Sequence, residues 1–183
     1  MLFSKIPLDD KETLKIFETA NTSGIFQFES TGMRNFLRRL KPNTFEDIFA
    51  AIALFRPGPA VNIDSYIKRK HKEEKITYQD PSLEKILSNT YGIFIYQEQI
   101  IQIVRKVALF SLSEADLFRR AISKKDESKL NKLKDDFISG ANKNGFSNNE
   151  SEEIFNLIYR FANYGFNKSH SVAYSIISYQ MAY

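Results

Sequence analysis

The sequence predicts a mainly α-helical fold with a few short extended segments. Polar residues with the spacing of a helix N-cap precede several segments, as Ser147 and Glu150 do. Apolar residues recur at the helical period, for example over residues 100–107. By contrast, only residues 24–28 and 92–96 combine a leading glycine with a short aromatic and β-branched run, so we expect isolated extended segments there.

Cap signals divide the chain into short helices. In order along the chain, the cap pairs are Asp9 with Glu12, Thr44 with Asp47, Ser113 with Asp116, and Ser147 with Glu150. Asp80 before Pro81 predicts a further helix through Ile86. The turn-like residues 89–92 divide the helices into two expected sub-lobes, 1–89 and 90–183. The last helical face continues to Tyr183 without a glycine cap, so we expect the chain to be part of a longer protein.

The composition excludes several classes of protein. With 183 residues and 43% hydrophobic content, the chain is long enough to bury a core. It contains no cysteine, which excludes disulfides, thiol catalysis and thiolate metal sites. Because no apolar run has the length of a membrane span and the first residues do not resemble a signal peptide, we expect a cytoplasmic protein without membrane contact.

Basic residues are concentrated in two parts of a chain whose net charge is only +4. Residues 34–72 hold nine Lys or Arg against three acids, and residues 105–134 hold nine against four. Such runs suit a polyanion if they converge in space, whereas a solvated helix face is their commoner explanation.

The segment 165–174 reads GFNKSHSVAY and brings Asn167, Lys168, Ser169 and His170 to the start of an apolar helix. A cation, a titratable ring and a helix N-terminus together predict a phosphate site. The alternative, which the local pattern alone favours, is that Asn167 or Ser169 is an N-cap and that Lys168 is solvated.

Three other segments carry candidate binding residues. FRPGP at residues 55–59 fixes the direction of Arg56 by a rigid turn, or simply ends the preceding helix. YIKRKH supplies a basic strip for a phosphate backbone, consisting of Lys68, Arg69, Lys70 and His71. SEADLFRRAISKK supplies candidate triphosphate ligands, namely Arg119, Arg120, Lys124 and Lys125. In the alternative for this segment, Asp116 forms surface ion pairs with the two arginines.

No motif for catalysis is recognisable. The sequence lacks a nucleophile and base pairing, a Walker-type glycine loop, a dinucleotide-binding fingerprint and a metal-ligand motif. We therefore expect a binding module without catalytic residues or metal ligands of its own.

Six strings in this order resemble the fingers region of the C-family of bacterial replicative DNA polymerases, of the DnaE type. They are GIFQFES, FEDIFAAIALFRPGP, YIKRKH, TYGIFIYQEQ, SEADLFRRAISKK and GFNKSHSVAYSIISYQ. The resemblance runs from about Ile6 to the last residue and identifies residues 1–183 as a fingers-domain fragment, without palm, thumb or clamp-binding regions. The main departure is Ile122-Ser123, where the family usually has methionine and glycine, and serine stiffens that helix end.

The resemblance implies a division of labour. The palm, outside this chain, holds two Mg²⁺ ions, while the fingers bind the incoming dNTP and the template of a primer-template DNA. It implies nucleotide contacts for Arg56, Arg119, Arg120, Lys124, Lys125, Lys168 and His170 beside Asn167 and Ser169. Tyr164 and Phe166 would face the nascent base pair, or else pack in the core. Sliding-clamp and clamp-loader partners would bind other regions of the subunit.

Two alternatives to a polymerase fragment fit the sequence less fully. A basic helical module that binds nucleic acid without specificity explains the cationic segments but not FRPGP or GFNKSHS. A helical protein-interaction domain is the other alternative.

Overall fold

A computed structural model describes residues 5–123 and 127–183, including all their side chains except those of residues 127–129. The helices in these residues are α1 Lys11–Glu18, α2 Thr31–Leu40, α3 Phe45–Leu54, α4 Ile63–Lys70, α5 Glu84–Leu87, α6 Gln97–Ala108, α7 Leu112–Ser123, α8 Glu127–Lys143, α9 Asn148–Phe161 and α10 Lys168–Ala182. Short 3₁₀ turns add Pro59–Asn62, Pro81–Leu83 and Ser88–Thr90. The mainly α fold class is confirmed.

Extended pairing in the described ranges is confined to an isolated parallel bridge between Tyr96 and Phe166. Residues 24–28, predicted as extended, instead form successive turns. Gly24 and Gln27 have φ values of 77° and 68°, which reverse the backbone direction. The hydroxyl of Thr22 closes this segment by donating to the Phe28 carbonyl at 2.7 Å.

Helix starts follow the predicted cap chemistry with two shifts. The boxes of Thr44 with Asp47 and Ser147 with Glu150 are confirmed. The cap of α1 is Asp10 rather than Asp9, because the Asp10 carboxylate accepts from the Thr13 amide at 2.8 Å. The box before α7 pairs Ser111 with Glu114, not Ser113 with Asp116, because the Asp116 carboxylate binds two arginines instead.

The contacts divide the chain into two compact units. The first unit is Met1–Lys75 together with Asn167–Tyr183, and the second unit is Ile76–Phe166. The division therefore differs from the sub-lobes expected on either side of residues 89–92, which lie inside the second unit. The side-chain amide of Gln99 connects that turn to the residues after it, since its Nε2 donates to the Thr90 hydroxyl at 2.8 Å and its Oε1 accepts from the Ile95 amide at 2.8 Å.

In the first unit, α10 packs against the almost fully buried α3. Small side chains on α10 allow this approach, and Ser171 donates to the Phe49 carbonyl of α3. Ser178 donates to the Phe26 carbonyl, in the turns of residues 24–28. The buried ring of Tyr179 stacks on Phe17 with centroids 6.2 Å apart. This core fixes where the first turn of α10 begins.

In the second unit, α6, α7, α8 and α9 enclose an apolar core in which the rings of Phe118, Phe137 and Phe155 meet. Helix α8 approaches the end of α6 at Gly140. A Cβ atom built there would lie 2.2 Å from the Ala108 carbonyl oxygen, so the crossing requires glycine. No helix in the described part of the chain has the length and apolar character needed to cross a membrane.

We expect Gly140→Ala to lower the free energy of unfolding by about 2 kcal/mol, because a backbone carbonyl cannot move aside as a side chain can. Urea denaturation measures this change. Gly32→Ala is the matched control in a helix: its Cβ would meet only the flexible ring end of Phe55, so a near-neutral effect is expected. A Gly140→Ala chain as stable as the control would contradict the close approach of α8 to α6.

Candidate functional site

The start of α10 is built by Asn167. Its side-chain oxygen accepts from the His170 amide at 2.8 Å, and its backbone conformation is extended, as an N-cap requires. Asn167, rather than Ser169, is therefore the cap. The side chain of Ser169 remains exposed in the first helical turn.

The exposed side chains of Lys168 and His170 follow this cap on the surface of the first unit. The ammonium of Lys168 lies 5.7 Å from the centroid of the Phe49 ring. The ring of His170 stacks on that of Tyr174, with centroids 4.1 Å apart and an interplanar angle of 29°. These aromatic contacts orient both side chains beside the positive end of the α10 dipole, an arrangement compatible with an anion.

Arg56 covers the end of α3. Its Nε atom donates to the Ala53 carbonyl at 3.0 Å, and burial lowers the pKa of its guanidinium from the ordinary value. The chain then turns at Gly58, whose φ of 94° favours glycine, and enters a 3₁₀ turn at Pro59. Arg56 thus satisfies a helix terminus and is held in one direction.

In the second unit, Arg119 is clamped by two side chains. Its Nε and Nη2 atoms donate to Asp116 Oδ1 at 3.1 and 2.8 Å, and its Nη1 donates to Gln97 Oε1 at 3.0 Å. The Arg119 side chain is only 17% exposed. The hydrogen bond from Arg119 lowers the pKa of Asp116, helped by the charges of both arginines, so this carboxylate stays ionised.

Arg120 occupies a more open position on the same helix. Its side chain is 63% exposed, and its Nη2 pairs with Asp116 Oδ2 at 2.8 Å. It lines a cavity of about 890 Å³ between α7 and α8, together with Glu114, Asp136 and Lys143. Asp116 therefore pairs with both arginines and leaves Arg120 mostly in solvent.

The C-terminal end of α7 is held by Ser123. Its hydroxyl lies 2.8 Å from the Arg119 carbonyl and 3.1 Å from the Ala162 carbonyl, so its proton is shared between two acceptors. A glycine at this position could make neither contact, which agrees with the expected stiffening. The predicted ligands Lys124 and Lys125 lie outside the described residues.

The segment leading out of the second unit carries Tyr164 and Phe166. The side chain of Tyr164 is 46% exposed and does not belong to the core. Phe166 is anchored by its backbone: its amide donates to the Ile95 carbonyl, and its carbonyl accepts from the Gln97 amide, both at 2.9 Å. The residue that clamps Arg119, Gln97, is thus also bonded to this segment.

The predicted basic strip is not uniform. Arg69 Nε donates to Glu74 at 2.7 Å, and the buried ammonium of Lys70 lies 2.8 Å from the buried Asp47 carboxylate. Lys68 is exposed, while His71 contacts the Arg39 carbonyl. Charge pairing inside the first unit therefore neutralises two of the four residues.

A family model described as the bacterial DNA polymerase III alpha subunit finger domain matches residues 1–145. The chain belongs to this finger-domain family. Curated relatives named DNA polymerase III subunit alpha are 54% identical in Halalkalibacterium halodurans, 49% in Campylobacter jejuni and 49% in Staphylococcus aureus. The matches cover 98%, 100% and 98% of the chain but only 16%, 15% and 17% of the relatives, so the chain spans about a sixth of their length.

Among the described residues of this finger domain, no group of three His, Asp or Glu side chains could hold a metal ion. Asp116 is engaged by two arginines and Asp47 by a lysine, so these carboxylates are not free to act as ligands for Mg²⁺.

Sequence patterns missed two features of the finger domain. The sequence does not indicate that Gln97 is a partner of Arg119, because the two residues are 22 positions apart. The cations Arg38, Arg39 and Lys41 belong to a basic run in the sequence, but the sequence does not indicate that they line one cleft with Lys68. The sequence feature that could have indicated this cleft is the basic last turn of both α2 and α4.

Proposed function

We propose that this chain is the finger domain of a DNA-directed DNA polymerase alpha subunit. In this function it binds the triphosphate of the incoming dNTP and template DNA during template-directed 5′–3′ nucleotidyl transfer. The observation that carries the proposal is the clamped guanidinium of Arg119 in a chain of the finger-domain family.

Arg119 is suited to a triphosphate for a physical reason. A guanidinium has five N–H donors, and the three bonds to Asp116 and Gln97 use three of them. Because its direction is set before a ligand arrives, little side-chain entropy is lost on binding. A positioned cation also stabilises the negative charge that develops on pyrophosphate during phosphoryl transfer.

Nucleotide contacts are proposed for ten residues. They are Arg56, Asn167, Lys168, Ser169 and His170, then Arg119, Arg120 and Tyr164, and also Lys124 and Lys125, which lie outside the described residues. DNA contacts are proposed for the basic strip Lys68 to His71, among which the exposed Lys68 is the best placed electrostatically. Arg69 and Lys70 would act there indirectly, because acidic partners neutralise them.

The metal ions and the clamp-binding regions of a polymerase would lie outside this chain. Mg²⁺, held by carboxylates of the palm, would supply the metal-assisted chemistry, and the sliding clamp and clamp loader would bind other regions of the subunit. A cytoplasmic location follows from this role. The 183-residue chain alone is expected to bind nucleotide weakly and to incorporate none, and measurable primer extension by the purified chain would contradict this division.

Arg119→Gln is expected to weaken binding of a fluorescent dNTP by about tenfold, the range for loss of a charge-assisted hydrogen bond. Gln97→Ala should weaken it less, since Asp116 still orients the guanidinium. The measurement is a fluorescence titration at constant ionic strength.

The matched control is Arg105→Gln, which removes the same charge from an exposed position on α6 of the same unit. Urea denaturation of each variant checks that the fold is retained. Equal nucleotide affinity of Arg119→Gln and Arg105→Gln would overturn the role of Arg119 in nucleotide binding.

A further inference from the structure

The first unit contains a basic cleft between the C-terminal turns of α2 and α4. Its volume is about 450 Å³. Four Arg or Lys side chains and two carboxylates line it: Arg38, Arg39, Lys41, Lys68, Asp64 and Glu73. It is a concave surface with a surplus of positive charge, built from two helices that are distant in sequence.

His71 links the two helices that line this cleft. Its Nε2 atom lies 3.0 Å from the Arg39 carbonyl oxygen. Because a carbonyl can only accept, Nε2 carries the proton and donates, which ties the end of α4 to the end of α2. His71 is therefore a strut between the helices, and the cations are held on either side of it.

The charges in the cleft are unevenly neutralised. Arg39 is paired with Asp64, whose pKa is lowered by that hydrogen bond. Arg38 instead donates to the neutral side chain of Asn35 at 2.6 Å and so keeps its full charge. Arg38, Lys41 and Lys68 are all exposed, and the other carboxylate of the lining is Glu73.

Helix stability alone does not account for this arrangement. Cations in a last helical turn offset the negative end of the helix dipole, which explains Arg38 and Lys68 individually. Lys41, however, lies beyond α2 as a C-cap with a left-handed φ of 48°, and it also lines the cleft. A cleft whose two walls both carry cations and are joined by the His71 hydrogen bond instead suits a chain of phosphates.

The lining also indicates how a nucleic acid would be contacted. No Phe, Tyr or Trp side chain lines the cleft among the described residues, so base stacking has no platform there. Contacts from Arg and Lys to phosphate oxygens position a strand without reading its sequence.

We propose that the cleft between α2 and α4 binds the phosphodiester backbone of a DNA strand through Arg38, Lys41 and Lys68. The choice of DNA over another polyanion rests on the proposed function, whereas the phosphate chemistry rests on the cleft itself. Arg38 and Lys41 join Lys68 as ligands, and His71 is a positioning residue. Arg69 and Lys70 do not line the cleft and are held by Glu74 and Asp47, so they do not contact the strand directly.

The test is the salt dependence of DNA binding by the 183-residue chain, measured by anisotropy with a labelled oligothymidylate of about 20 nucleotides. The variant Arg38→Gln/Lys41→Gln/Lys68→Gln is expected to bind about tenfold more weakly at low salt. Between about 50 and 200 mM salt, its slope of log K against log salt should be shallower by about 2, since each lost phosphate contact contributes about 0.7.

The matched control is Lys5→Gln/Lys11→Gln/Lys15→Gln, which removes the same net charge from exposed positions of the first unit outside the cleft. A second arm uses a duplex of equal length, and the arm with the larger loss shows whether a single strand or a duplex supplies the phosphates. Equal losses in the cleft variant and the control would overturn the cleft as the binding site.

A variant that is expected to bind DNA more tightly provides a second test of the cleft. Glu73→Gln removes a carboxylate from the lining and should tighten DNA binding by about threefold, whereas Glu29→Gln, at an exposed loop outside the cleft, should not. The absence of any gain, or of any DNA binding, would contradict the proposal. Nucleotide titration of the same variants is independent: unchanged nucleotide binding with lost DNA binding separates the cleft from the nucleotide residues.

Discussion

Replacing Asp47 with alanine is expected to lower the free energy of unfolding by about 4 kcal/mol. The Asp47 side chain is 2% exposed and its partner Lys70 is 7% exposed. Removal of the carboxylate leaves a buried ammonium that still donates to the Asn43 side-chain oxygen at 2.7 Å, but without a compensating negative charge. An uncompensated buried charge costs more than the ion pair contributed.

Asp47 also takes part in the capping box at the N-terminus of α3. Its carboxylate accepts from the backbone amides of Asn43 and Thr44 at 3.1 and 3.2 Å and from the Thr44 hydroxyl at 3.0 Å. The loss of such a cap costs about 1 kcal/mol by itself. Because α3 is the helix against which α10 packs, we expect the damage to reach the first turn of α10.

Urea denaturation measures the loss, and hydrogen exchange of α3 and α10 amides localises it to the first unit. Glu46→Ala is the control, since it removes a neighbouring exposed acid from the same helical turn. The double variant Asp47→Ala/Lys70→Met should be more stable than Asp47→Ala, because no buried charge remains unpaired. A single variant as stable as the double one would contradict this explanation.

Replacing Phe118 with alanine is expected to destabilise the second unit by about 4 kcal/mol. Its side chain is 1% exposed, and its ring centroid lies 5.8 Å from those of Phe110 and Phe137 and 6.2 Å from that of Phe155. The rings of Phe137 and Phe155 lie on α8 and α9, so neither can move in to fill the space without distorting its own helix. The loss therefore includes a cavity as well as transferred apolar surface.

The neighbouring residue provides the control. Leu117 is 65% exposed on the same helix, and Leu117→Ala should change the free energy of unfolding by less than about 1 kcal/mol. Both variants are compared by urea denaturation and by nucleotide titration, because α7 also carries Arg119. Equal effects of the two substitutions would show that α7 is not anchored by the Phe118 ring.

Much of the fold was predictable because its signals are local. The capping boxes of Thr44 and Ser147 join residues three positions apart, and the apolar stripes repeat within two turns. The two shifted caps, at Asp10 and at Ser111, arose where several acids stand close together and compete for the same helix start. Residues 24–28 were missed because a turn with a left-handed Gln27 has no strong sequence signal.

The candidate site was predictable in part. The sequence identified Arg119, its acidic neighbour Asp116 and the start of α10, because each belongs to one short segment. It could not identify Gln97 as a clamp of Arg119, or the strut from His71 to Arg39, because these pairs are 22 and 32 residues apart. Nucleotide contacts of individual residues remain predictions.

By itself the sequence determined a helical chain of the finger-domain family, rich in cations and free of catalytic motifs. The tertiary structure alone decided which of those cations are neutralised. Lys70 and Lys68 are two residues apart in one basic run, yet Lys70 is paired with Asp47, 23 residues away, while Lys68 faces solvent in the cleft. Charge pairing depends on distances between side chains in space, and for residues so far apart only the packing of α3 and α4 sets those distances.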